Sequence, residues 1–403
     1  SAKVAATVAL LLLGQPLMAQ DRQQPIRASL DAVYDSALVN NLHLRASDLQ
    51  VKRSKVLRGT WLNLPKTGVF VENEDINPQD PQGLLKIGVS QSIEWPGLYK
   101  ARRELLEEQV KSVSYAKELR ALEIKRDVQS SYYRLWYLQD RQHLYQRIDS
   151  IFRSLTKATV LRVKTGESAG LDSISAQARS REITAQLNGV SRDIESEQEN
   201  LMRLTNSSTA FLPELRSLKK IEVNGTTSLM DRHPAIKLQR QNESIAAADI
   251  RIQRRTNMPT LDGRFFSQRL YQNSNPYSGF SVSVGIPLFG RAANRKSVQA
   301  AELEREYQST LVYFEVATLQ ANYGQARQEL EKQKELLVFY EGTGLKQAQQ
   351  IISASNLAYR GGEISFSDLS QFLMQAIEIQ RSYLEVLNEY NQAAIKLNYY
   401  VNR

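Results

Sequence analysis

The sequence predicts a mainly α-helical protein with a small β part, organised as an internal two-fold repeat. Long helical stretches without proline run from Leu98 to about Val163 and from Arg291 to about Leu357. Ahead of each stretch, apolar residues alternate with small or polar ones, which is the pattern of a β-strand with one apolar face. This order of elements occurs twice, so the two halves are expected to share one plan.

Short motifs at nearly constant spacing indicate the repeat. They are separated by 193 to 196 residues: NLP at 63–65 and NMP at 257–259, IEWPG at 93–97 and IPLFG at 286–290, and Gly-Glu at 166–167 and at 362–363. Each match alone is weak, but the shared offset indicates duplication of one unit. We therefore divide the chain into a first repeat at 20–204, a connector at 205–228 and a second repeat at 229–403.

Each repeat is predicted to contain a helix, two strands, a very long helix, a turn and a last helix. The first helix should run from about Leu30 to Leu62, because Pro65 lacks an amide donor and disfavours helix at the residue before it. The connector should hold one short strand, from Ile221 to Val223. The four longer strands are expected at about 66–75, 85–95, 260–271 and 279–289.

The last helix of the chain carries its apolar residues on one narrow face. They are Leu369, Leu373, Ala376, Leu387, Tyr390, Ala394 and Leu397. Charged residues surround this stripe, which is typical of coiled-coil packing rather than of a thick globular core. We therefore expect long antiparallel helical hairpins.

Charge and composition argue against several classes of function. The net charge of +9 comes from 52 basic and 43 acidic residues scattered among one another, which favours solvated helix faces over a phosphate-binding surface. Nucleic acid is therefore not an expected partner. The chain has no cysteine, and its three histidines, His43, His143 and His233, lie far apart, so no metal or cofactor is expected. With no nucleophile–base pair and no phosphate loop, we do not expect an enzyme.

Residues 1–19 have the pattern of a secretory signal peptide. Lys3 precedes an apolar run from Val4 to Leu13, and the small residue Ala19 precedes a polar stretch. The run is too short to cross a bilayer, and no later run of about 20 apolar residues follows. We expect the protein to be exported.

The apolar faces of the four strands need cover, and four strands are too few to close a barrel. One solution is that the apolar side faces lipid and that neighbouring subunits contribute the strands that close the barrel. Aromatic residues near the strand ends suit a membrane-interface girdle or local packing: Trp95, Tyr99, Tyr277 and Phe289.

The duplicated plan, the paired strand-to-helix breaks and the Gly-Glu-x4-Asp turns resemble the outer-membrane factor family of TolC-like efflux ducts. The resemblance implies a homotrimer with a twelve-stranded transmembrane β-barrel and an α-barrel tunnel across the periplasm of a Gram-negative bacterium. It also implies a periplasmic adaptor and a proton-driven inner-membrane pump as partners. The segment VSQSIEWPG at 89–97 is most similar to members that serve heavy-metal efflux. The alternative is a soluble periplasmic coiled-coil interaction protein without channel activity.

The resemblance also assigns roles to the two hairpin turns. It places a periplasmic gate at Asp172, Tyr359, Asp368 and Gln371, and an adaptor-docking tip at Lys164, Gly166, Glu167, Arg360, Gly361, Gly362 and Glu363. Gln371 occupies the position at which some members have a second acidic ring. With glutamine there, this sequence departs from a double acidic gate. Asp172 and Asp368 also suit capping of helices that start at Leu171 or Ser367, and capping is compatible with gating. The glycines are expected to permit left-handed turns, with adaptor contact as a second role.

The IEWPG and IPLFG motifs are interpreted as joints between a barrel strand and a tunnel helix. Pro96 suits the first turn of a helix, where its missing amide is harmless. Gly97 and Gly290 are expected to give the backbone freedom for the bend. Pro287 falls inside the predicted second strand, so it should lie at a bulge or at the strand's end.

Overall fold

The computed structural model describes residues 24–74, 83–167, 169–214, 218–223, 232–270 and 275–401. The predicted signal peptide, at 1–19, lies outside the described residues.

Eight α-helices are found in the described part of the chain. They are α1 (Leu30–Asn40), α2 (Leu42–Arg58), α3 (Pro96–Lys164), α4 (Gly170–Thr205), α5 (Pro234–Thr256), α6 (Arg291–Phe339), α7 (Leu345–Gly361) and α8 (Phe366–Tyr400). Helix α3 alone has 69 residues, which corresponds to roughly 100 Å at 1.5 Å per residue. The mainly α-helical fold with long helical hairpins is therefore confirmed.

Six strands in the described part of the chain form two sheets. Strands β1 (Ile26–Ala28) and β4 (Phe211–Pro213) pair in parallel. The larger sheet is antiparallel, in the order β2-β3-β5-β6, and contains β2 (Gly68–Glu74), β3 (Leu84–Ile93), β5 (Thr260–Leu270) and β6 (Tyr277–Gly285). Strands β3 and β5 join the two repeats at the centre of this sheet.

The structure differs from the predicted single helix at 30–62, because Asn41 separates α1 from α2. The Asn41 side-chain oxygen accepts hydrogen bonds from the amides of His43 and Leu44, and so caps α2. The Asn41 side-chain nitrogen donates to the carbonyl of Leu204 at the end of α4, 2.7 Å away. This long-range bond fixes the break.

The connector also differs from the prediction, because residues 221–223 do not form a strand. A buried helical residue holds this segment instead. The side chain of Asn391, in α8, accepts the amide of Ile221 and donates to the carbonyl of Lys219, both at 2.9 Å. One asparagine thus satisfies the backbone polar groups that a strand partner would otherwise take.

The long helix of the second repeat is interrupted where that of the first is not. A π-helical turn, Tyr340–Gly344, separates α6 from α7. Such turns carry one extra residue and bend the helix locally. The glycine at 344 packs against Ile379 of α8 and the ring of Tyr340.

The core lies between the helices as elongated seams. The predicted stripe of α8 is confirmed, since all seven of its residues are buried. It packs with residues of α3 and α4 such as Leu135, Phe152 and Ile183. Among the residues that the structure describes, no helix is long and apolar enough to cross a membrane.

Candidate functional site

The larger sheet has one apolar face that no described residue covers. A register row crosses all four strands on this face, through Val69, Val89, Phe265 and Phe280. Their exposed fractions are 78%, 46%, 58% and 79%. Val71, Ile87, Ile93, Val282 and Val284 extend the exposed apolar face along the strands. Burying one such side chain stabilises a protein by roughly 1.5–3 kcal/mol, so this face is expected to have an apolar partner.

The opposite face of the sheet is polar. Its rows place Ser90, Arg264 and Ser281 side by side, and Ser92, Asp262 and Ser283 side by side. Glu72 and Lys86 lie on the same face, one strand apart. The two faces therefore differ sharply, as the period-two pattern of the sequence predicts.

One row of the polar face alternates phenylalanine with glycine: Phe70, Gly88, Phe266 and Gly279. The Phe266 ring covers Gly279, because a Cβ atom added there would lie 2.9 Å from two ring carbons. A Cβ atom on Gly88 would lie 2.4 Å from the carbonyl oxygen of Phe265 and 2.8 Å from Cζ of Phe70. The glycines make space for the rings to lie against the sheet.

The sheet ends in two edges that pair with no other described strand, β2 and β6. Strands β3, β5 and β6 have 10, 11 and 9 residues, which is the length that crosses a bilayer when tilted. Exposed strand edges invite pairing with another chain.

The first joint, at IEWPG, is held by ionic and hydrogen-bonding contacts. Arg102 of α3 makes a two-point ion pair with Glu94, which follows β3 directly. The Tyr99 hydroxyl accepts the Glu94 amide at 3.2 Å. Pro96 is the first residue of α3, as expected. Arg255, at the end of α5, donates to the carbonyl of Gly97 at 2.6 Å. The joint therefore ties strand β3 to two helices.

The second joint is more open. Strand β6 ends at Gly285, so Pro287 follows the strand rather than lying inside it. A proline that cannot donate to a ladder is well placed there. Phe289 is 98% exposed. Gly290 caps α6 with a φ of −88°, and Gly97 is not among the described glycines with positive φ. Neither glycine uses left-handed backbone in the described structure.

Of the aromatic residues near the strand ends, Tyr99 is buried in the first joint. Local packing accounts for it. Trp95, Tyr277 and Phe289 are exposed.

The two hairpin turns have the same backbone geometry. In the first, Gly166 has φ +80° and its amide donates to Val163, while the Glu167 amide donates to Arg162. In the second, Gly362 has φ +79°, and the same two bonds recur 196 residues later, to the carbonyls of Tyr359 and Ala358. Both are Schellman turns, in which glycine avoids the Cβ clash of left-handed backbone. Lys164, Arg360, Gly361 and Glu363 are exposed at these turns.

The helices after the turns start differently. Helix α8 has a capping box: the Ser365 hydroxyl accepts the Asp368 amide, and Asp368 Oδ2 accepts the Ser365 amide at 3.1 Å. Asp368 thus lies in the third position of the helix, rather than in the second position that a start at Ser367 implies. Hydrogen bonds from the Ser365 hydroxyl and then its amide lower the pKa of Asp368. In α4 the N-cap is Ala169, which has no side-chain cap, and Asp172 lies in the first turn.

Tyr359 connects the two hairpins near their turns. Its ring is buried, and its hydroxyl lies 3.5 Å from Thr159 Oγ1 of α3. The guanidinium carbon of Arg162 lies 4.9 Å from the ring centroid. The turns of both repeats therefore end at the same side of the molecule. Gln371 lies in α8, exposed, one turn after Asp368.

Comparison with solved structures identifies the fold. The CusC structure, described for transmembrane channel formation, superposes with a TM-score of 0.79 at 14% identity, over 93% of this chain and 92% of that one. The outer-membrane channel CmeC of Campylobacter jejuni superposes with a TM-score of 0.77 at 14% identity, over 92% of this chain and 85% of that one. The chain has the outer-membrane channel fold. The open MtrE channel of Neisseria gonorrhoeae superposes with a TM-score of 0.76 at 16% identity, over 92% of this chain and 88% of that one. No family model and no curated protein matches the sequence.

Sequence patterns alone do not reveal several residues that hold the backbone around the site and elsewhere in the fold. Arg255 and Asn391 act on backbone groups far away in the chain, so no local pattern marks them. In the sequence His233 is only an isolated histidine, yet its Nδ1 accepts the Ala235 amide and caps α5. Its position just before Pro234 was the available signal, since proline is common at the first helical residue.

Proposed function

We propose that the protein is the outer-membrane channel of a tripartite efflux system, with a β-barrel in the outer membrane of a Gram-negative bacterium and a helical tunnel in the periplasm. The observation that carries this proposal is the uncovered apolar face of a sheet whose other face is polar. Lipid on one side and water on the other suits such a sheet. The likeness in fold to outer-membrane channels supports it.

The proposed assembly is a homotrimer. Four strands cannot close, but twelve strands from three copies form a barrel without edges when β6 of one copy pairs with β2 of the next. Every backbone donor and acceptor at membrane depth then has a partner, which the hydrocarbon core demands.

The turns of the two hairpins form the proposed periplasmic gate. Three copies of Asp368 converging on one axis would repel one another and attract cations. Asp172 and Gln371 lie on the helices that follow the turns, and Tyr359 links the hairpins through Thr159. The capping role of Asp368 supports this proposal, because a capped first turn holds the carboxylate in one place.

The same turns are the proposed docking tip for a periplasmic adaptor, which in turn contacts a proton-driven inner-membrane pump. Their exposed residues include both charge signs, from Lys164 and Glu167 in one turn to Arg360 and Glu363 in the other. The matching Schellman geometry gives each subunit two similar contact points, and a trimer six.

Heavy-metal cations are the proposed cargo. The only support is the similarity of the segment at 89–97 to family members that serve heavy-metal efflux. Deletion of the gene should then sensitise the cell to metal salts more than to organic drugs. The opposite pattern would overturn the cargo assignment without affecting the channel.

The channel is tested on the full-length protein, first in fractionated cells and then after purification. We expect it to fractionate with outer membranes, to migrate as a heat-sensitive trimer in detergent, and to conduct ions in planar bilayers. A monomer that stays in solution without detergent would contradict the proposal and favour a periplasmic coiled-coil interaction protein. Asp368→Ala should raise conductance if the tip is a gate, whereas Arg269→Ala, a charge removed from the far end of β5, should not.

A further inference from the structure

The polar face of the larger sheet carries five charged residues, and four of them are paired. Arg264 contacts Glu72 at 2.8 Å, and Lys86 contacts Glu74. The fifth is Asp262 on β5. Within the described part of the chain, its carboxylate takes part in no hydrogen bond or ion pair. The face therefore has one uncompensated negative charge per chain.

The neighbours of Asp262 do not neutralise it. In the register of the sheet it lies between Ser92 on β3 and Ser283 on β6. The nearest cation on its own strand is Arg264, which is held by Glu72 and also stacks over the Phe70 ring, 5.2 Å from the centroid. Arg264 therefore contacts residues of other rows of the sheet and does not pair with Asp262.

Asp262 also lies at a defined level. It is the third residue of β5, which begins at Thr260 directly after α5 and Pro259. The end of the sheet that adjoins the helices therefore carries the free carboxylate, with one serine beside it on each neighbouring strand. Three copies about a threefold axis would place three such carboxylates at one level.

We propose that Asp262 makes the lumen of the barrel prefer small cations at the level where the barrel meets the helical tunnel. The proposal rests on the proposed channel, since it takes the polar face to be the water-filled one. Neighbouring strands are about 4.8 Å apart, so a charged solute beside Ser283 comes within roughly 6 Å of the carboxylate. At that distance in water, one unit charge changes the relative local concentrations of a cation and an anion about tenfold.

The test uses the absence of cysteine from the chain. Ser283→Cys introduces one thiol beside Asp262, and the full-length protein in detergent micelles or liposomes is treated with a cationic trimethylammonium or an anionic sulfonate methanethiosulfonate reagent. Each rate is divided by the rate of the same reagent with a small free thiol. We expect the cationic reagent to be favoured about tenfold, and Asp262→Asn to remove most of this preference.

Matched variants separate the alternatives. Arg269→Gln removes a charge from the opposite face of the same strand and should leave the ratio unchanged. Glu72→Gln frees Arg264 and should lower the ratio. Ser92→Cys places the thiol on the other side of Asp262 and repeats the measurement if Ser283→Cys fails to fold.

A thiol at 283 that reacts readily, with a ratio that Asp262→Asn does not change, overturns the role of Asp262 and leaves the channel intact. Failure of both reagents at 283 and at 92, when Val282→Cys reacts freely, contradicts the channel itself, because the polar face is then not the water-filled one.

Discussion

Replacing Gly88 by alanine should damage the sheet, because its Cβ position is already occupied. The added carbon would lie 2.4 Å from the Phe265 carbonyl oxygen and 2.7 Å from Cβ of Phe266. The oxygen belongs to the backbone of the neighbouring strand, so it cannot rotate away. Overpacking of this kind costs about 1–3 kcal/mol per chain, and in a trimer all three copies carry it.

Gly263 provides the matched control. It is also a strand glycine, on β5, but it lies on the apolar face, and an added Cβ would meet only the Gln91 carbonyl at 3.9 Å. Gly263→Ala is therefore expected to be neutral or to stabilise by about 0.4–1 kcal/mol, through the lower entropy of the unfolded chain.

The assay is the temperature at which the proposed trimer dissociates in detergent, read from gel migration after heating. Gly88→Ala should dissociate at clearly lower temperature than wild type, and Gly263→Ala at the same or higher temperature. A Gly88→Ala protein as heat-resistant as Gly263→Ala would refute the strand pairing and side-chain packing described for this face.

Three further substitutions test the tip and the helix caps. Ser365→Ala removes the two hydrogen bonds of the Ser365 hydroxyl to Asp368 and keeps the bond from the backbone amide of residue 365, so the pKa of Asp368 should rise part of the way toward its ordinary value, as carboxylate NMR titration would measure. Tyr359→Phe loses the contact with Thr159, and conductance should rise modestly, since a hydrogen bond at 3.5 Å is weak. Burial lowers the pKa of His233, so stability should fall as the pH drops below 6.5, its ordinary value, while His233→Asn should give a flatter thermal-melting profile between about pH 5 and 7.

For each of these three substitutions, a specific result would contradict the prediction. An unchanged titration of Asp368 in Ser365→Ala would show that the capping box does not set its protonation, and Ala169→Ser, which adds the missing hydroxyl at the first turn, serves as the control. Equal conductance of Tyr359→Phe and wild type would count against the gate. An identical pH profile in His233→Asn would assign the acid sensitivity to other groups.

The sequence predicts most of the fold because its signals are local and periodic. Alternation at Phe280, Val282 and Val284 places three side chains on one face whatever the strand pairs with, and the structure exposes all three. The common offset of the two Gly-Glu turns likewise appears in the structure as two Schellman turns with the same hydrogen bonds. The glycine at 166 or 362 is needed by its own backbone, independently of distant contacts.

Features that depend on contacts across the chain could not be predicted. The break between α1 and α2 is fixed by Asn41 bonding to Leu204, 163 residues away. The connector is held by Asn391, which in sequence is only a polar residue within a helix. The capping box of α8 is the exception, because Ser365 followed three residues later by Asp368 is a local pattern that predicts a helix start at Phe366 rather than at Ser367.

The central claim is that one face of the larger sheet meets lipid and the other meets water. Single cysteines at positions 280 to 284 of β6, each carrying a nitroxide in the protein reconstituted in liposomes, test it by collision with oxygen and with a water-soluble nickel complex. Labels at Phe280, Val282 and Val284 should favour oxygen, and labels at Ser281 and Ser283 should favour nickel, with a period of two. Equal access of the nickel complex to all five positions would contradict the account.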